Sequence, residues 1–136
     1  HGVDALPGLW PSADVVSICL PLLESTRCIV DADAIALIKP DAVMIDISRG
    51  GVVDQAALAG ALSSGQLRGA AIDVFETEPL PADSDLWGLE NTILTPHCSS
   101  VYDGWENKSA AMFSDNLARY RRGESLRNIV DPDRGY

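Results

Sequence analysis

Three side chains in this sequence have the types and the order to work on a carbonyl that sits beside a carboxylate: Arg49, Glu78 and His97. Arg49 follows the apolar run that ends at Ile47 and Ser48, and Gly50 and Gly51 come next. Its planar, permanently charged fork can hold a carboxylate through two hydrogen bonds. The two glycines let the backbone turn tightly and let a ligand come close. An imidazole can give or take a proton near neutral pH, and His97 follows directly on Pro96. A carboxylate bonded to an imidazole fixes the ring's orientation and favours its protonated form, which is the part Glu78 can play. Asp73 lies within "AAIDVF", where a carboxylate among apolar residues costs free energy unless it is paired. This set suits reduction of a 2-oxo acid or oxidation of a 2-hydroxy acid. No side chain delivers hydride, so a nicotinamide cofactor is expected. Taken singly, Arg49 reads as a surface ion pair, His97 as a loop residue and Glu78 as a solvated carboxylate; the combination carries the functional reading.

These residues have to be positioned by strands. "ADVVSICLPL" holds an apolar run from Val15 to Leu20 closed by Pro21, which reads as a buried strand. "DADAIALIKPDA" reads as a short helix stopped before Pro40. Ala42 to Ile47 is a second buried strand. Asp54 then reads as an N-cap for a helix with Ala56, Ala57, Leu58, Ala61 and Leu62 on its stripe, stopped near Gly65. "GAAIDVF" is a third strand, opened by small residues that let a neighbour pack close. "EPLPADSDLWGLEN" is a loop with about one helical turn, and "TILTP" is a fourth strand. From about Tyr102 to Arg122 the pattern is helical, with Arg119, Arg121 and Arg122 at the end the helix dipole favours.

Short apolar strands separated by helical segments predict an α/β fold, a parallel sheet with flanking helices. In such sheets ligands bind at the carboxyl ends of the strands. The residues there are Leu20 and Pro21 after the first strand, Ser48 and Arg49 after the second, Asp73 at the third, and Pro96 and His97 after the fourth.

The bulk composition narrows the partners. The 136 residues carry a net charge of −10, which repels nucleic acid and anionic lipid, so neither is expected as a partner. No apolar run approaches the ~20 residues a membrane span needs. "HGVDALPGLW" has no basic segment followed by an apolar one, so a cytoplasmic protein is expected. The cysteines, Cys19, Cys28 and Cys98, are widely spaced and odd in number, which predicts reduced, partly buried thiols. No metal site is expected.

The blocks "SRGGVVDQAAL", "GAAIDVFETEPLP" and "LTPH", in that order and with "ADVVSICLPLLEST" ahead of them, resemble the nicotinamide-binding domain of the D-isomer-specific 2-hydroxyacid dehydrogenases. The resemblance runs from about Ala13 to Val130. It implies the second half of a Rossmann-like NAD(P)-binding domain. Residues 1–136 would form one partial dinucleotide-binding domain with a crossing C-terminal helix over about 102–122. It implies Arg49 as the substrate arginine, His97 as the catalytic histidine, and Glu78 rather than Glu76 as the carboxylate partner of that histidine. It implies cofactor contacts at Leu20, Pro21, Thr26, Ile47, Ser48, Arg49, Asp73, His97, Ser99 and Ser100, with Asp73 on the nicotinamide carboxamide. Ser99 stands where the family usually has glycine or alanine. The implied cofactor is NAD or NADP, with NAD favoured, and the implied substrate a small 2-oxo or 2-hydroxy acid.

The family's G-x-G-x-x-G phosphate loop, and the charged residue about twenty positions beyond it, are absent from these residues. The resemblance places both upstream of His1, together with the substrate domain. The 136 residues alone are therefore expected to be inactive, to bind NAD(H) weakly or not at all, and to associate with a second copy or with the rest of a parent chain. The alternative is a non-catalytic remnant or an interaction module resembling the family's corepressors, which keep the same Arg, Glu and His.

Overall fold

The computed structural model describes residues 2–136. The chain forms two compact units, His1–Ser99 and Ser100–Tyr136. In the first, short helical turns at Val3–Ala5, Leu6–Leu9 (α1) and Trp10–Ser12 lead into the strand Val15–Ile18 (β1). There follow Ala32–Leu37 (α2), Val43–Asp46 (β2), Gln55–Ser63 (α3), Gly69–Ile72 (β3), a 3-10 turn at Asp85–Gly88, and Thr92–Leu94 (β4). The second unit holds one long helix, Trp105–Arg122 (α4). No helix among the described residues is long and apolar enough to cross a membrane.

The four strands pair in parallel in the order β1-β2-β3-β4. The register sets Val16 beside Met44 and Ala70, and Ile18 beside Asp46 and Ile72. That row points into the core, where Ile35, Leu58 and Leu62 from α2 and α3 pack on it. The opposite row is more open. Val15 is 56% exposed, so β1 alternates and is not buried on both faces as the apolar run predicts. The α2 and α3 helices cover one face of the sheet only.

Local chemistry sets the helix ends. Asp31 accepts a hydrogen bond from the Ala34 N–H and Asp54 from the Ala57 N–H, each at 2.9 Å, so each caps the helix it precedes. Gly65 takes φ +74° just past α3, as the sequence predicts. The α4 helix starts at Trp105, three residues later than the pattern suggests, because Gly104 lies before it at φ +81°. It stops at Gly123, whose N–H and that of Glu124 bond back to Tyr120 and Arg119 carbonyls.

Two expectations are corrected. All three cysteines are free and exposed, since each lies in a segment beyond the sheet and not within it. Gly50 is glycine because of the chain itself: a Cβ there would lie 1.8 Å from the Phe75 carbonyl oxygen. The close approach read as room for a ligand is filled by the backbone after β3. Gly69 is hemmed in the same way, with the Asn91 carbonyl oxygen 2.8 Å from where its Cβ would be.

Replacing Gly50 by Ala is expected to cost about 3 kcal/mol or more of stability, because the backbone it meets has nowhere to move. Gly60, inside α3 with nothing within 4 Å of a built Cβ, is the control. Gly60→Ala is expected to add about 0.5–1 kcal/mol. Urea midpoints for the two variants test this; an unchanged midpoint for Gly50→Ala would contradict it.

Candidate active site

The carboxyl ends of β2, β3 and β4 each release a short loop, and the register sets Asp46, Ile72 and Leu94 side by side at that edge. Arg49 leaves three residues beyond β2, Asp73 one beyond β3, and His97 three beyond β4. β2 and β4 lie two places apart in the sheet, so the loops that carry Arg49 and His97 leave the same edge.

His97 and Glu78 are brought together. The His97 Nδ1 lies 2.8 Å from Glu78 Oε2, and Glu78 Oε1 accepts the Phe75 N–H at 3.0 Å. The His97 hydrogen bond first, and then the Phe75 N–H, hold the Glu78 carboxyl below the ordinary value of 4.5. Glu78 is therefore ionised at neutral pH and can only accept, so the proton of the pair is on Nδ1. Nε2 is left as the nitrogen that can hand a proton on. Glu76 is elsewhere: its carboxylate accepts the Gln55 N–H at the start of α3.

Arg49 is exposed, and among the described residues its guanidinium makes one hydrogen bond, from Nη1 to the Ser48 carbonyl at 2.7 Å. Among the described residues it makes no ion pair, in a chain with twenty acidic residues against ten basic ones. A guanidinium left unpaired amid that excess of acids is available to an anion.

Two buried aspartates hold the loops that carry these groups. Asp73 is 2% exposed and accepts from the Thr95 hydroxyl and from the Cys98 and Ser99 N–H groups, both at 2.9 Å. Burial pushes its carboxyl up, but Thr95, Ser99 and Cys98 together outweigh that and hold it far below the usual carboxylate range. Asp46 accepts from the Ser48 N–H at 3.0 Å and from the Ser48 hydroxyl. Burial pushes Asp46 up, Ser48 pulls against it, and the nearby Asp73 charge adds to the rise. Asp46 and Thr95 were not among the residues expected from sequence. The signal for Asp46 was present: it sits in an apolar run as Asp73 does, and the same cost of burial applies.

The remaining expected positions divide by what their side chains already do. Leu20 and Ile47 expose apolar surface at the ends of β1 and β2. The Ser48 side chain is buried on Asp46. The Thr26 hydroxyl is buried too, donating to the Pro21 carbonyl at 2.6 Å and accepting the Leu23 N–H at 2.8 Å. It shapes the loop after β1, in which Pro21 is half-buried. Ser99 is exposed, and Ser100, also exposed, opens the second unit. A pocket of about 600 Å³ adjoins the His97–Glu78 pair, walled by Phe75, Leu80, Trp87, Leu94 and Pro96. Arg49 and Asp73 do not line it.

The model of one protein family, described as D-isomer specific 2-hydroxyacid dehydrogenase, NAD binding domain, matches residues 1–99. A glyoxylate reductase of Korarchaeum cryptofilum is 39% identical over 134 residues, which is 97% of this chain and 40% of that protein. An (S)-sulfolactate dehydrogenase of Chromohalobacter salexigens is 43% identical over 116 residues, 85% of this chain and 38% of that one. The chain thus spans about two fifths of the length of these curated relatives. Among solved structures, a D-isomer specific 2-hydroxyacid dehydrogenase from Xanthobacter autotrophicus Py2, in complex with NADPH and MES, superposes with TM-score 0.92 at 42% identity. All of this chain and 55% of that one are covered. An NADPH-dependent glyoxylate/hydroxypyruvate reductase from Sinorhizobium meliloti, with NADP and sulfate, gives TM-score 0.92 at 31% identity over all of this chain and 44% of that one.

The His97–Glu78 pair makes a prediction about pH. The folded value of Glu78 lies below the unfolded one, so the pair stabilises the fold above about pH 4.5 and that contribution is lost as the pH falls through the folded value. Both side chains are about a third exposed, so the effect on the unfolding midpoint is small. The Glu78 carboxyl carbon resonance reads it better. With His97→Ala its titration midpoint is expected to rise toward 4.5; a midpoint that stays where it was would mean that the pair does not form.

Proposed function

Because this chain belongs to the D-isomer specific 2-hydroxyacid dehydrogenases through their NAD binding domain, we propose that its strand-end cluster interconverts a small 2-oxo acid and the corresponding 2-hydroxy acid. The observation that carries the reading is the pairing, at one sheet edge, of an unpaired guanidinium with an imidazole held by a carboxylate. Arg49 binds the substrate carboxylate through its fork and draws electron density from the adjacent carbonyl. His97 gives its Nε2 proton to the carbonyl oxygen in reduction and takes it back in oxidation. Glu78 keeps Nδ1 protonated and the ring in one orientation.

The cofactor test rests on the surface around this pair. Leu20 and Ile47 offer exposed apolar side chains, fit to lie against a flat aromatic ring, next to the Arg49 turn. A nicotinamide dinucleotide there would supply the hydride. The expectation of NAD over NADP draws no support from the two solved neighbours above, which hold NADPH and NADP. NADPH is therefore the first cofactor to test. Glyoxylate and hydroxypyruvate are the first substrates, because they are what the named reductases act on.

The experiment is reduction of glyoxylate and hydroxypyruvate by the gene's whole product, with NADPH and with NADH. His97→Ala is expected to lower kcat by about 10²–10⁴. Arg49→Gln is expected to raise KM and lower kcat together, because the same contact binds the substrate and positions its carbonyl. Near-full reductase activity in His97→Ala would refute the reading.

A further inference from the structure

The loop carrying His97 is exposed from Pro96 through Ser99. His97 itself takes φ +52°, in the left-handed region that residues other than glycine occupy only with support. Within the loop, the His97 N–H bonds the Thr95 carbonyl at 3.0 Å. The other support comes from the neighbouring strand. Asp73 takes the Thr95 hydroxyl two residues before His97, and the Cys98 and Ser99 N–H groups just after it. One buried carboxylate grips the chain on both sides of the imidazole.

We infer that Asp73 is a positioning residue: it clamps the loop of residues 95–99 so that the His97 ring meets Glu78 and keeps Nε2 free. The family resemblance puts this carboxylate on the nicotinamide carboxamide. The clamp does not compete with that contact: Oδ1 accepts from Thr95 and Cys98, while Oδ2 accepts from Ser99 alone and keeps a lone pair. The functional meaning of the clamp rests on His97 as the proton carrier proposed above. The clamp itself is tested without cofactor or substrate, so the two can fail separately.

The test is Asp73→Asn in this chain, read at the Glu78 carboxyl. Asn keeps the size of Asp but turns one acceptor into a donor, which faces either the Cys98 or the Ser99 N–H. Asp73 can influence Glu78 by two routes of opposite sign. As a bare charge it raises the Glu78 carboxyl, so neutralising it lowers the Glu78 midpoint. As a clamp it keeps His97 on Glu78, and losing it lets the midpoint rise toward 4.5. Among the described residues, the charged groups that act on Glu78 are His97, which lowers it, and Asp73, which raises it. The expected result is the rise. A fall, or no movement, overturns the clamp. Amide exchange in the unmutated chain decides the matter if Asp73→Asn does not fold. Cys98 and Ser99 are expected to exchange at least about tenfold more slowly than Ser100 and Val101, although all four are exposed. Equal rates would overturn the clamp as well.

Discussion

A carboxylate taken out of water has to be met by donors, and at the carboxyl edge of this sheet that requirement organises the loops. Asp46 ends β2 and Asp73 directly follows the adjacent β3, at 4% and 2% exposure. Each reaches past its strand to backbone N–H groups: Asp46 to that of Ser48, Asp73 to those of Cys98 and Ser99. Hydrogen bonds to a charged group are worth about 1.5–3 kcal/mol each, and the same groups left unpaired would destabilise the fold by a similar amount. The loops cannot drift without stranding a buried charge. Arg49 and His97 are each within a residue of those N–H groups, so the two side chains that could act on a substrate are tied to the most costly places in the fold to disturb.

A second constraint links the loops to one another. The Gly50 turn lies so close to the Phe75 backbone that a side chain has no room. The Phe75 N–H in turn holds Glu78, and Glu78 holds His97. From the Arg49 turn to the imidazole the contacts run without a gap along the edge of β2, β3 and β4. Glycine at position 50 thus lets the Arg49 turn and the His97 loop share one edge, and the steric reason for it lies inside the chain.

The sheet was legible in the sequence because each strand is a short apolar run, and α3 because it starts at a capping aspartate, Asp54. The strand ends were not. "GAAIDVF" is apolar and buried to Phe75, yet the ladder stops at Ile72. Hydropathy records burial, and it does not record that the Phe75 N–H turns to Glu78. Arg49, Glu78 and His97 were legible by type, by order and by resemblance. Asp46 lies inside an apolar run that reads as strand throughout, although the cost argument made for Asp73 holds for it equally. Thr26 and Gly50 show a further limit. A hydroxyl or a missing side chain near a site reads as ligand contact, and only coordinates reveal that the chain's own backbone has already claimed it.

Glu78, and not its neighbour two residues earlier, holds the imidazole. Glu76 bonds the first turn of α3, while Glu78 bonds His97. The most direct measurement is kcat for reduction of glyoxylate or hydroxypyruvate by the gene's whole product carrying Glu78→Gln or Glu76→Gln. Glu78→Gln is expected to lower kcat by about tenfold or more, because a neutral amide no longer fixes the ring's proton and orientation. Glu76→Gln is expected to stay within about twofold of the parent. If Glu76→Gln is the slower of the two, the account is wrong.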